Sequence, residues 1–227
     1  MKKGKLIVIE GVDGSGKETQ SKALAGHLME DGYDVLSLSY PRYEKDSSAM
    51  VRHYLAGDFG KNPGDVSPYV ASTFYAADRY ASYQEEMAAH LEQGGVVIAD
   101  RYTTANMVHQ AGKLSDPDAR ERFLNWLTDY EFNLLGLPEP DGVFFLDIPP
   151  KVSQKLIAER ANKITGEKQK DIHESDPTHL LSAYHNAIAL TEKYNWLRID
   201  CVTDETLRSI EDIHNEIYAK TLEILHV

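Results

Sequence analysis

A three-layer α/β/α fold, with a five-stranded parallel sheet between helices, is what this chain predicts. Three observations carry that prediction. Short β-rich runs alternate with longer stretches rich in Ala, Leu, Glu and Lys. Several of these runs are almost continuously apolar, as strands buried on both faces are. The first run passes directly into a Gly-rich turn that opens a helix. Alternating strands and helices imply a parallel sheet covered on both faces. Ligands on such sheets bind at the carboxyl ends of the strands. The strand-to-helix turns are therefore where chemistry is expected.

Taken in order, the strands are expected over residues 5–10, 35–40, 96–100, 142–148 and 196–201. The first, third and fourth are the most apolar and belong at the centre of the sheet. Residues 67–93 read as one long helix. Ser67-Pro68 suits an N-cap followed by proline in the first turn, and Gly94-Gly95 stops it. One segment breaks the alternation. Residues 161–171, Ala-Asn-Lys-Ile-Thr-Gly-Glu-Lys-Gln-Lys-Asp, are polar and Lys-rich, between helices expected to end near Arg160 and to begin near Ser175-Asp176-Pro177. Such a run is either a solvated loop or a lid; the lid would span about 161–173.

The chain has 227 residues, which suits a single domain with room for a sizeable core. Lys plus Arg number 24 against 36 Asp plus Glu, a net charge of −12. That excess argues against a nucleic-acid-binding surface, which is basic, but not against a small anion in a locally basic cleft. One cysteine, Cys201, makes neither an intrachain disulfide nor a Cys-based metal site. No apolar run approaches the roughly 18 residues of a membrane span. Cytoplasmic residence and no membrane partner are the expectation.

The turn after the first strand reads Gly11-Val12-Asp13-Gly14-Ser15-Gly16-Lys17-Glu18-Thr19-Gln20. Glycines at 11, 14 and 16 let successive backbone N–H groups point at an anion. The helix opening near Lys17 adds its positive dipole end, and Lys17 reaches toward the β- and γ-phosphates. A triphosphate such as ATP would be held by Gly11, Gly14, Ser15, Gly16, Lys17, Thr19 and Gln20. The usual pattern places Ser or Thr directly after the lysine to hold Mg²⁺. Here Glu18 stands there and the hydroxyl comes one later, at Thr19. Water-mediated Mg²⁺ coordination with Asp100 nearby is the expected substitute. A carboxylate at position 18 must point away or help hold the metal.

The other strand ends carry arginine. Strand two ends in Tyr40-Pro41-Arg42, strand three in Asp100-Arg101-Tyr102, and the long helix holds Asp78-Arg79. Arginine suits bidentate recognition of phosphate or carboxylate. Two at strand ends beside a phosphate loop favour a second phosphoryl site over surface ion pairs. No Asn-Lys-x-Asp run marks a guanine-reading switch.

Together these segments resemble the thymidylate kinases of the nucleoside-monophosphate kinase group, a P-loop kinase fold. The resemblance runs in register through 9–17, Tyr40-Pro41-Arg42, Phe74-Tyr75-Ala76-Ala77-Asp78-Arg79, Asp100-Arg101-Tyr102, Gly136-Leu137-Pro138-Glu139-Pro140-Asp141 and Ile199-Asp200. It implies transfer of the γ-phosphoryl group of ATP to dTMP, with Mg²⁺, by a homodimer. By position, Asp13 would bond the sugar 3′-hydroxyl, and Arg42 and Arg101 would hold the acceptor phosphate. Arg79 and Asn106 would read the thymine edge. Tyr75, or its neighbour Phe74, would stack on the base, and His109 falls where an aromatic crowds the ribose 2′ position. Arg160 and the loop after Asp200 would flank the donor adenine. Gly14 stands where some members carry a catalytic Arg, so Arg160 with a lid lysine, Lys163, Lys168 or Lys170, takes that part. The catalytic set implied is Lys17, Asp13, Arg101, Arg160 and Lys163. A kinase for another deoxynucleoside monophosphate, and an ATP-binding regulator that transfers nothing, are the alternatives. Glu18 favours the regulator and a complete acceptor site the kinase.

Overall fold

A computed structural model describes residues 3–153, 176–203 and 206–226. The expected lid, with Arg160, Lys163, Lys168 and Lys170, lies outside the described residues.

Five strands form the sheet: β1 (Lys5–Gly11), β2 (Val35–Ser39), β3 (Val96–Asp100), β4 (Gly142–Asp147) and β5 (Leu197–Asp200). They lie in the order β2-β3-β1-β4-β5, every neighbour parallel. The expected strands are all present, with ends shifted by at most one residue. β2 stops at Ser39 because the Tyr40-Pro41 turn follows; proline has no N–H for a ladder.

The strands bury both faces, and their period of two sorts the core into two layers. Ile7, Ile9, Ile98, Phe144 and Leu146 face α1 (Lys17–Glu30) and the C-terminal helix Ile210–Leu225. Leu6, Val8, Val97, Ala99 and Phe145 face the helices of the opposite layer. That layer holds α3 (Pro68–Ser82), α4 (Ala88–Glu92), α5 (Thr103–His109), α6 (Pro117–Thr128) and α7 (Pro177–Lys193), with α2 (Ala49–Leu55) packed on α3 in a separate small cluster; the C-terminal helix is thus α8. Each fully buried Leu, Ile, Val or Phe here contributes about 1.5–3 kcal/mol. The layers are thus held by sheet side chains packed against those of the helices.

The expected helix over 67–93 is a continuous helical run with one irregularity. α3 passes through a π-helical turn, Tyr83–Met87, into α4. A second π-helical turn, Asp129–Leu134, extends α6. Each π turn presents carboxylates to an arginine. Glu85 and Glu86 in the first bind Arg42, and Glu131 in the second binds Arg79. π turns are uncommon and cluster at functional sites.

From β1 the chain crosses to β2 and β3 on one side, and later to β4 and β5 on the other. The crevice of such a sheet opens where the order reverses, above the carboxyl ends of β1 and β3. Pairing of Ile9 with Asp100 and of Ser39 with Asp100 sets Gly11, Tyr40 and Arg101 along one edge.

Candidate active site: a phosphate loop beside an arginine-walled cavity

The loop between β1 and α1 has the form a phosphate requires. Gly14 and Gly16 hold positive φ, 79° and 85°, a region closed to most side chains. A Cβ on Gly11 would meet Ser15 Oγ at 2.5 Å, so a side chain there would push Ser15 out of its place in the loop. Gly16 caps α1 with no side chain taking the first N–H groups, which leaves the helix end to an anion.

Lys17 is buried and donates to the Val12 carbonyl at 2.9 Å. Burial and the neighbouring Arg101 lower its pKa to about 8, while Asp13, Glu10 and Asp100 oppose the shift. Glu18 points away from the loop: its carboxylate accepts from Lys22 Nζ at 2.7 Å on the exposed face of α1. The conflict between a carboxylate and a triphosphate is thereby removed. Thr19 is exposed. Gln20 donates to the Ile210 carbonyl at 3.0 Å and so ties α1 to the start of α8.

Beside the loop lies a cavity. Of the seven residues expected for an acceptor, six line it: Asp13, Tyr75, Arg79, Arg101, Asn106 and His109. Of the two candidate aromatics, Tyr75 is the one in the cavity wall. Both rings pack on Tyr54, but Phe74 also packs on Phe59 and is not in the cavity wall.

Arg101 leaves β3 with φ of 64°, a strained conformation for a non-glycine residue costing about 1 kcal/mol or more. Contacts at its far end hold it there. It forms an ion pair with Asp13 and donates to His109 Nε2 at 3.3 Å. Burial would raise Asp13, but Arg101 and Lys17 outweigh it and hold the carboxyl well below the usual range. Glu10, fully buried beneath the loop, moves the other way, because burial wins over the same two cations. It accepts from the Gly11 N–H and the Thr104 hydroxyl.

Arg79 is buried and spends two nitrogens on Glu131, at 2.7 and 2.5 Å. Its Nη1 reaches the Tyr102 carbonyl at 3.4 Å. Glu131 also accepts from Thr103 Oγ1 at 2.6 Å. Asn106 is buried, with Nδ2 3.4 Å from the Ser72 carbonyl. Arg42 is not brought into the cavity wall. Its Nε binds Asp78 at 3.1 Å, its Nη1 binds Glu85 at 2.8 Å and Glu86 at 3.3 Å, and its Nη2 reaches Ser47.

Sequence reasoning missed Glu131, Glu10 and His179. Glu131 had a legible signal: it continues the stripe Leu124, Leu127 at helical spacing, and a carboxylate on a core-facing stripe needs a cation.

Buried histidines make the fold acid-sensitive. Burial lowers His109 to about 3 and His179 to about 4, while unfolded histidine titrates near 6.5. Between those values the unfolded chain binds protons that the native state refuses, so stability rises with pH across this window. The contribution is complete above pH of about 6.5 and is lost as pH falls through the folded values. Urea unfolding across this range should show that loss, and His109→Phe with His179→Phe should flatten it. A flat wild-type profile would contradict the burial of these rings.

For Mg²⁺, no group of three or more metal-ligating side chains occurs among the described residues. An all-protein cage is therefore not what these residues fit. Asp100 Oδ1, buried and without a protein hydrogen-bond partner, does fit an ion that keeps its waters and leans on one carboxylate and substrate phosphates.

A phosphate loop at β1, set against a second cation-walled pocket at the same sheet edge, defines the class: a nucleotide-binding phosphotransferase of the α/β type. The family model for thymidylate kinase matches residues 9–217. A probable thymidylate kinase of Pyrococcus horikoshii is 31% identical over 217 residues, covering 96% of this chain and 95% of that protein. The thymidylate kinase of Plasmodium falciparum is 32% identical over 98% of this chain and 92% of its own. The solved thymidylate kinase of Candida albicans shares the fold with a TM-score of 0.68 at 20% identity, covering 98% and 94% of the two chains. This chain belongs to the thymidylate kinase family. It is an enzyme with that family's kinase activity, and use of ATP and nucleotide substrates comes with the family. No helix among the described residues is long and apolar enough to cross a membrane.

Proposed function

We propose that this chain transfers the γ-phosphoryl group of ATP to the 5′-phosphate of dTMP, giving dTDP and ADP on the route to dTTP. One observation carries the reading: six side chains of the expected acceptor site line a single cavity beside the phosphate loop. An oxygen of the acceptor phosphate bonds to the γ-phosphorus as the bond from that phosphorus to the β–γ bridging oxygen breaks. Catalysis of this step is positioning and charge neutralisation.

The loop N–H groups of Gly11, Gly14, Ser15 and Gly16 and the α1 dipole hold the donor phosphates, with Thr19 and Gln20 in the first turn. Lys17 leaves the Val12 carbonyl for the β- and γ-oxygens. Mg²⁺, held through water by Asp100 and by the phosphates, would supply further charge neutralisation. Arg101 takes the acceptor phosphate. Asp13, freed from that ion pair, accepts from the sugar 3′-hydroxyl. Tyr75 stacks on the pyrimidine. Arg79 offers Nη1, the terminal nitrogen not bound to Glu131, to a thymine carbonyl, and Asn106 completes the base edge. His109 crowds the ribose 2′ position. Arg42 would serve as a second phosphate ligand by exchanging Glu85 and Glu86, both well exposed, for the anion. Arg160 and Lys163 are assigned to the donor side and the transferring phosphoryl.

Homodimer formation is proposed through the outer face of α3, where Tyr69, Val70 and Tyr80 are exposed, with action in the cytoplasm. The test of function is a turnover panel of dTMP, dUMP, dGMP, dAMP and dCMP with ATP. dTMP should be preferred; a preference for a purine would sink the reading.

A further inference from the structure

The side chains behind Arg101 form a chain that reaches α7. His109 Nε2 lies 3.3 Å from Arg101 Nη1. A guanidinium has donors only, so this nitrogen accepts, and His109 is neutral with its proton on Nδ1. Burial lowers His109 to about 3; Asp13 opposes this, and Arg101, His179 and Lys17 add to it. Behind His109 stands His179 of α7, also buried, the ring centroids 5.8 Å apart and the planes 30° apart. That is the offset arrangement that ring pairs favour.

The register of α7 against α5 fixes this pairing. Asn186, on the same face of α7 seven residues later, donates to the Met107 and Val108 carbonyls at 2.7 and 2.9 Å. Ala183, between them, is fully buried, and its Cα would lie 3.4 Å from a Cβ placed on Gly112. Burial also keeps His179 neutral, at about 4; Lys113 adds to the shift while Asp176 and Asp13 oppose it. His179 does not line the cavity.

We propose that His179 is a positioning residue for Arg101, acting through His109: packed behind that ring, it excludes water and keeps Nε2 turned to Arg101 as an acceptor. Loss of His179 lets water reach His109. A protonated His109 has two donors and no acceptor, and it repels Arg101. The inference rests on the reading of Arg101 as the acceptor-phosphate ligand.

Steady-state kinetics with ATP and dTMP, between pH of about 5.5 and 8, compare the wild type with His179→Ala and His179→Phe. The alanine variant should raise the dTMP KM about tenfold, the scale of one hydrogen bond to a charged group. Its ATP KM should not move. It should also acquire an acid limb in kcat/KM for dTMP below pH of about 6.5, where an ordinary histidine titrates. Phenylalanine keeps the ring and the dry contact, so it should restore both the KM and the flat profile. An alanine variant with unchanged dTMP KM and profile, equal rises in both KM values, or a phenylalanine variant that behaves like alanine overturns the proposal.

Nitrogen-15 NMR of the wild-type imidazoles tests the proposal without substrate and without variants. His109 should remain neutral, protonated on Nδ1, at pH of about 5.5; a ring that titrates near 6.5 overturns the proposal. Failure of the wild type to phosphorylate dTMP would instead sink the substrate reading and leave the NMR result standing.

Discussion

Lys17→Ala lowers kcat/KM by at least about 100-fold, the roughly 3 kcal/mol lost when one preorganised charge stabiliser is removed. Three features of the site set that expectation. Lys17 is buried beside the loop whose glycines face the anion, so its charge acts with little screening. Its resting partner is a neutral carbonyl, Val12, which yields to a phosphate more readily than a carboxylate would. Its pKa, lowered to about 8 by burial, also makes it titrate in an accessible range. Only the ammonium form grips phosphate, so kcat/KM for ATP should fall as pH rises through about 8, because that ratio reports the free enzyme. Lys17→Arg should not restore the rate: a bulkier planar fork replaces a compact point charge. Steady-state kinetics of the three proteins over pH of about 7 to 9.5 test this. A Lys17→Ala variant within about tenfold of wild type removes Lys17 from the reaction.

Glu131→Ala should cost about 3–5 kcal/mol of stability, because it leaves the buried Arg79 guanidinium without its counter-charge. Both members of the pair are almost completely buried. The same loss frees the fork that holds Arg79 against the cavity, so dTMP turnover should fall with stability. The double variant Arg79→Met with Glu131→Leu separates the two effects. Apolar replacement of a buried ion pair is often neutral or stabilising, so thermal unfolding should return toward the wild-type midpoint. Turnover of dTMP should not recover, since the Arg79 donor to the base is gone. Recovery of both would show that Arg79 is there for packing alone.

The fold was readable because its cause is local. Runs such as Leu6 to Ile9 and Val96 to Ala99 are apolar on both faces, and only a sheet covered on both sides accommodates them. The phosphate loop was readable for the same reason: its chemistry is contained in seven consecutive residues, 11–17, with the strand and helix that flank it. The two π turns were not readable. An extra residue in a helical turn has no compositional mark, and its justification lies in Arg42 and Arg79, 43 and 52 residues away.

Pairing across the chain decided the rest. From the sequence, Arg42 and Arg101 were expected on an acceptor phosphate and Arg79 on the base edge, with nothing to say what else each would pair with. In the structure Asp78, Glu85 and Glu86 hold Arg42, Glu131 holds Arg79, and Asp13 and His109 hold Arg101. Phe74 and Tyr75 differ by one residue, about 100° around a helix, and only the tertiary packing, with Phe59 against Phe74, shows which one turns to the cavity. The sequence by itself determined the sheet, the phosphate loop and the inventory of cations. Which cations are already neutralised by buried carboxylates, and which stand ready for a ligand, was decided only by tertiary structure, because an ion pair depends on distance in space and not on separation along the chain.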